Sequence, residues 1–220
     1  MRATQNFPIS GLRPLSAFVE AVIHIKKAAA QVHKETGRLE AKLADAIIRA
    51  ADEVLAGQHR EHFVVDVYQA GAGTSHNMNA NEVIANRAAE LLDSPRGTYT
   101  RVHPNDHVNM GQSTNDVYPT ATRLALLELV DRLVAAARRL STALDDRSRA
   151  FRDVLKVGRT HLQDAVPMTL GQEFGGYAAC IDRAAIALDR TSAQLQELNL
   201  GATAVGTGLN THPEYAERSA

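Results

Sequence analysis

Tryptophan is absent from this sequence, and cysteine occurs once, at Cys180. A single thiol excludes an intramolecular disulfide and a cysteine zinc site, and it fits a reducing compartment. Formal net charge is −1 and no cluster of Lys or Arg stands out, which argues against a nucleic-acid partner. No long uncharged apolar stretch occurs, and no charged start leads into an apolar run. The expectation is a cytoplasmic protein with no membrane span and no signal peptide. Zinc-ligand spacing and the Gly-x-Ser-x-Gly nucleophile elbow are also missing. What is present is an ordinary globular composition, 45% hydrophobic and 22% charged. Its 220 residues suffice for one or two domains and a real core.

Met1 to Pro14 reads as an extended lead-in marked by Pro and Gly. A helix is expected from about Leu15 to Glu35, with Phe18, Val22, Ile25 and Ala29 on one face and Gly37 as its stop. A second runs from about Glu40 to Ala56, where Leu39, Leu43, Ile47, Ala50 and Val54 recur at helical spacing. Phe63 to Tyr68 is β-prone, and Gly71 to Ser75 is a turn. A third helix spans about Asn81 to Leu92. The long stretch Asp93 to Asp116 then holds Pro95, Gly97, Pro104 and Gly111, and loops of that length are often functional. Two long helices follow, about Tyr118 to Ser148 and Met168 to Leu200. Leu126, Val130, Leu133, Ala137, Leu140 and Leu144 alternate spacings of four and three, the seam of a helical bundle. Two such seams supply too few partners for each other, so more helices or other subunits are required.

Three polar stretches interrupt this pattern. Gly71-Ala72-Gly73-Thr74-Ser75-His76-Asn77-Met78-Asn79-Ala80-Asn81-Glu82 has glycines that allow close backbone approach to a ligand. It is no P-loop, because no Gly-Lys-Ser/Thr follows. A turn with an Asn cap is the plain alternative. His103 to Asp116 contains Ser113, Thr114 and Asn115 just before a helix whose first turn holds Pro119. Neutral donors beside the positive end of a helix dipole make a carboxylate cradle. Ordinary capping by Asn115 or Asp116 is the alternative there. The third stretch is Gly158-Arg159-Thr160-His161-Leu162-Gln163-Asp164-Ala165-Val166-Pro167. Pro167 disfavours helix at Val166 and suits a helix start just after it, where free N–H groups bind anions. His161 can bind or shuttle a proton near neutral pH. Here the alternative is a capped helix start beneath a solvated polar loop.

Two further candidates carry less. His59 and His62 can share a helix face, but no third ligand is placed, so a surface pair is expected and no metal. Cys180 lies inside a helix without basic neighbours, which implies a buried or half-buried thiol and no nucleophile.

Taken together, Gly-Ala-Gly-Thr-Ser-x-Asn-Met-Asn-x-Asn-Glu-Val from Gly71, Gln-Ser-Thr-Asn-Asp from Gln112 and Gly-Arg-Thr-His-Leu-Gln-Asp-Ala from Gly158 resemble the aspartase/class II fumarase superfamily. Arg2 to Pro8 and the Gly201–Asn210 loop match as well. The resemblance implies an all-α fold: a small N-terminal lyase domain, 1–112, and part of a central long-helix bundle, 113–220. It implies reversible β-elimination yielding fumarate from a small dicarboxylate, with no cofactor and no metal. It implies homotetramers with active sites shared between subunits. On that pattern Thr74, Ser113, Thr114, Asn115, Thr160 and His161 contact the dicarboxylate. His161 is the catalytic candidate, as a donor to or charge partner of a substrate carboxylate. His103, Asn105 and Asp106 resemble an accessory dicarboxylate site. In this family a serine on a Gly-Ser-Ser-x-Met-Pro-x-Lys-x-Asn-Pro loop removes the proton. No such motif occurs here, so the chain resembles a piece clipped at both ends, and it is expected to be catalytically incompetent alone.

The substrate markers are mixed. Gly-Ala-Gly-Thr-Ser, Ser-Thr-Asn and Asp106-His107-Val108-Asn109 resemble aspartases. His103-Pro104-Asn105-Asp106, Ala51 to His59 and Thr211-His212-Pro213-Glu214-Tyr215 resemble fumarases. The aspartase markers lie in the substrate-contacting stretches, so aspartate ammonia-lyase is the expectation, with fumarate hydratase or a non-catalytic dicarboxylate-binding fragment as alternatives.

Overall fold

Alanine sets how closely the first long helices approach one another. In the computed structural model, which describes residues 2–220, a short α1 (Arg2–Asn6) precedes α2 (Ser16–Glu35), α3 (Ala41–Leu55) and α4 (Thr74–Leu91). Ala29 of α2, Ala44, Ala50 and Ala51 of α3, and Ala85 and Ala88 of α4 have no exposed surface. Side chains this small let larger ones, Ile23, Ile47, Val54 and Ile84, fill the remaining space at full burial. The α2 and α3 helices form where their periodicity places them.

α4 starts at Thr74, seven residues before the expected Asn81, and it ends at Leu91. Its Asn-rich first turns are helical because the buried Asn77 side chain is taken up by Lys26, Asn109 and Thr114 rather than left to compete for the backbone. The run Phe63 to Tyr68, expected to be β-prone, forms no strand. No neighbouring strand is offered to it, and Asp66 holds it in another way. That carboxylate accepts N–H groups of Ser10 (2.7 Å), Gly11 (2.8 Å) and Tyr68 (3.0 Å). The Tyr68 N–H, then those of Ser10 and Gly11, hold the Asp66 pKa down to about 2. The lead-in therefore is tied to residue 66, and its first residues form α1 where extended chain was expected.

The long stretch before α5 (Thr114–Ala150) contains a π-type turn, Pro104–Val108. After α5 the chain makes β1 (Leu155–Thr160) and β2 (Gln163–Thr169), an antiparallel hairpin, then α6 (Leu170–Ser192). A 3₁₀ turn (Ala193–Gln196) and a short α7 (Tyr215–Ser219) complete the elements. The last long helix thus begins and ends inside the expected Met168–Leu200. The protein is mostly helical, with this small hairpin as its one sheet among the described residues. No described helix is long and apolar enough to cross a membrane.

Two compact units divide the chain, residues 1–126 with 197–220, and residues 127–196. In the first, Tyr215 is fully buried and stacks on His33 of α2 with ring centroids 5.0 Å apart. In the second, α5 and α6 run antiparallel. Ser148 Oγ donates to Gly171 C=O at 2.7 Å, and Ser141 Oγ donates to Ala178 C=O at 3.0 Å. A Cβ on Gly171 would lie 2.5 Å from Ser148 C=O oxygen, so only glycine fits this crossing. Ala178 and Ala185 are the buried stripe of α6. Cys180 is exposed, not buried as expected, because it lies two residues, about 200°, round the helix from Ala178.

Candidate functional site

Ser113 caps α5. Its Oγ accepts the Asn115 N–H at 3.2 Å, and the Asp116 carboxylate accepts the Ser113 N–H at 2.9 Å. The return bond from Asp116 is that of a capping box, with Asp where Glu or Gln is usual, while the serine takes the N–H of Asn115 instead of Asp116. Asp116 is fully buried, and its second oxygen accepts the N–H groups of Gly201 (3.1 Å) and Thr203 (3.0 Å). Pro119 supplies no N–H, so the Asn115 C=O lacks its helical partner. Asn199 Nδ2 donates to it at 3.2 Å, and Asn115 Nδ2 donates to Ala204 C=O at 2.8 Å. The Gly/Thr loop is thereby fastened to the first turn of α5. Ser113 and Thr114 are half-buried there and Asn115 is exposed.

Beneath this turn lies Lys26, with no exposed surface. Its Nζ donates to Asn77 Oδ1 (2.6 Å), Gln112 Oε1 (2.8 Å) and Asn109 Oδ1 (2.9 Å). Burial lowers its pKa to about 7, and the charge of Asp116 opposes that shift. Asn77 Nδ2 donates to Thr114 Oγ1 at 3.2 Å, which leaves the Thr114 hydroxyl proton free to donate elsewhere. His33 Nε2 donates to Met110 C=O at 2.7 Å. The segment 109–114 is thus held from below by α2 and α4.

Thr74 opens α4 and is exposed. Gly73 turns the chain into that helix at φ 77°, and a Cβ there would lie 2.3 Å from Tyr118 Cδ2. Thr74 lines a cavity of about 900 Å³ with His59, His62, Asn79 and Arg87. Ser113, Thr114 and Asn115 are not among its walls. Asn77, one turn beyond Thr74, connects the two places through Thr114.

Thr160 and His161 belong to the second unit. The expected helix start at Pro167 is a strand instead. Pro167 pairs in register with Val157, and α6 begins only at Leu170. Thr169 caps it in a complete capping box with Gln172. The extended geometry that proline imposes on Val166 suits a strand equally well, and an edge strand tolerates the missing N–H. Helix N–H groups therefore do not serve Thr160 or His161. Thr160 faces Gln163, and His161 and Leu162 form a two-residue loop with φ of 49° and 62°. Such a type I′ turn favours Asn and Gly, so His and Leu are held there against local preference. Both are exposed.

His103, Asn105 and Asp106 share the π-type turn. His103 Nδ1 accepts the N–H groups of Asn105 (3.3 Å) and Asp106 (3.1 Å), so that nitrogen carries no proton. The Asp106 carboxylate 3.2 Å from it is then a neighbour rather than an ion-pair partner. Asn105 and Asp106 are exposed.

Comparison with known proteins places this geometry. The family described as Lyase matches residues 1–220. A class II fumarate hydratase of Nitrosomonas europaea is 54% identical over 220 residues, which is 100% of this chain and 48% of that protein. An aspartate ammonia-lyase of Bacillus sp is 49% identical over 215 residues, 98% of this chain and 46% of that one. The crystal structure of a fumarate lyase:delta crystallin from Brucella melitensis bound to cobalt superposes with a TM-score of 0.87 at 50% identity, covering 99% of this chain and 48% of that one. The chain belongs to the fumarase/aspartase lyase superfamily. It spans about half the length of the curated relatives it matches.

For this superfamily member the sequence located the three polar stretches and missed what supports two of them. Asp116 reads only as a helix cap, Asn77, Asn109 and Gln112 carry no role of their own within the quoted stretches, and Lys26 is not singled out. One signal was available: Lys26 stands four residues after Val22 and three before Ala29, on the apolar face of α2.

Proposed function

We propose that this chain supplies dicarboxylate-binding segments of a lyase that forms fumarate by β-elimination, with L-malate as substrate. The observation that carries the choice of malate is whole-chain identity, which is higher to the fumarate hydratase than to the aspartate ammonia-lyase. The Ser113-Thr114-Asn115 and Gly71-to-Ser75 sequences favour L-aspartate and sustain the ammonia-lyase as the second reading. Proton removal beside a carboxylate builds a doubly charged aci-carboxylate. Fixed hydroxyl, amide and imidazole donors stabilise such charge most when they need not reorganise. The Asp116 and Lys26 networks supply that fixity for Ser113, Thr114 and Asn115. Thr74, Thr160 and His161 complete the set, with His161 as charge partner of a substrate carboxylate. His103, Asn105 and Asp106 are assigned to an accessory dicarboxylate site.

In this reading residues 1–112 are an N-terminal lyase domain and 113–220 are part of a central bundle. The protein is cytoplasmic, and it assembles as a homotetramer whose active sites draw segments from several subunits. Leu126, Leu133 and Leu140 support assembly: they recur every seven residues on α5 and are 45%, 58% and 51% exposed. The test is fumarate appearance from L-malate and from L-aspartate. It is run with the chain alone and with the unmatched half of the Nitrosomonas europaea enzyme added in trans. Turnover of malate with the added half is the expected result. Turnover of aspartate instead adopts the second reading. Failure of both substrates, together with no binding of succinate, overturns the proposal.

A further inference from the structure

The residues Arg60–His62 form one turn of 3₁₀ helix directly after His59. Side chains three apart stand over one another in such a helix. His59 and His62 have that spacing, and their rings lie 17° from parallel with centroids 6.2 Å apart. Glu61 joins them: one ligand atom from each of the three lies within 4.8 Å of the others. The backbone that carries them is held from several sides. Asn79 Nδ2 donates to His62 C=O at 3.0 Å, and Asn79 Oδ1 accepts the Val64 N–H at 3.1 Å. Arg13 donates to Glu61 C=O at 3.3 Å, and Arg60 pairs with Glu20 at 2.5 Å. His59 itself is held at φ 61°, an uncommon conformation for a residue with a Cβ.

Behind the turn stands Glu53. Its Oε2 lies 3.3 Å from His59 Nε2, and Arg87 grips the same carboxylate at 2.5 and 3.0 Å. A carboxylate on one nitrogen of an imidazole fixes the ring and raises the basicity of the other nitrogen, the usual arrangement behind a metal-binding histidine.

We propose that His59, Glu61 and His62 bind one divalent transition-metal ion, with Glu53 orienting the His59 ring. Two imidazoles and a carboxylate select zinc, cobalt or nickel over magnesium and calcium, which prefer all-oxygen sites. Three protein ligands leave a coordination position for water or a small anion. Both histidines are walls of the cavity that Thr74 lines, so the ion stands at its edge. None of these four residues is assigned to the dicarboxylate, and the metal site stands or falls apart from the lyase reading.

The test strips the purified chain with a chelator and titrates it with Zn²⁺ by calorimetry and with Co²⁺ by visible absorption. One ion per chain is expected, with no response to Mg²⁺. H62Q and the double variant H59Q/H62Q weaken binding by at least about tenfold, and H24Q, on an exposed position of α2, leaves it unchanged. X-ray absorption of the wild-type zinc form reads the ligands without any variant, and two imidazoles are expected in the first shell. Absence of saturable zinc binding, unchanged binding in H59Q/H62Q, or a first shell without imidazole overturns the proposal.

Discussion

A lysine with no exposed surface must find three acceptors, and Lys26 finds them in Asn77, Asn109 and Gln112. Removing its ammonium takes the donor from Asn77 Oδ1 and Gln112 Oε1, while Asn109 Oδ1 keeps the Asn77 Nδ2 group. K26M is expected to destabilise the protein by about 2–4 kcal/mol, read by urea unfolding. The same lysine sets a pH slope. Unfolded, it keeps its proton up to 10.5; folded, it loses it near 7. Between those values the unfolded chain binds more protons, so this contribution to stability rises with pH across that window. Wild type minus K26M, measured across it, is expected to show that rise, and a flat difference would contradict it. The helix that carries Lys26 was legible from Phe18, Val22, Ile25 and Ala29. Its partners were not, because they lie 51, 83 and 86 residues away in the chain, and only tertiary structure selects among so many amides.

At the scale of the element, periodicity located the long helices and failed where other forces decide. Gly158 to Pro167 reads as a helix start because proline and a polar cluster mark such starts, and the same features suit a hairpin. Pairing of Leu155 with Thr169 through Thr160 with Gln163 makes the choice, and pairing is a property of two segments rather than one. Phe63 to Tyr68 errs the other way, a β-prone run with nothing to pair with. The hairpin tip offers a direct test. Leu162 is 95% exposed at φ 62°, so L162G removes an unfavourable conformation and almost no packing. A gain of about 0.5–1 kcal/mol in thermal or urea unfolding is expected. An unchanged or lower stability would mean that the Leu162 side chain contributes contacts of its own.

For the molecule as a whole, the proposed assembly rests on the exposed leucines of α5. Val130 and Val134 of that helix are buried, and Leu126, Leu133 and Leu140 are not. L133E adds a charge to the middle of that row and is expected to reduce the oligomer seen by light scattering, with helical content retained. A monomeric wild type would remove the reason for the row. Composition and pattern raise the expectation of partners, because a seam without a mate shows in one helix alone. They could not convey that residues 197–220 return to the first unit, since that depends on Asp116 meeting Gly201 and Thr203.

That meeting governs the order in which the protein can be made. Asp116 leaves the ribosome 85 and 87 residues before the two N–H groups that complete it. Until they emerge, the Asp116 carboxylate has only the Ser113 N–H on one oxygen and neither of these two on the other, and the first unit lacks these closing contacts. Residues 127–196, the second unit, have their own contacts earlier. The middle of this chain therefore has its partners in hand before the first unit has all of its own.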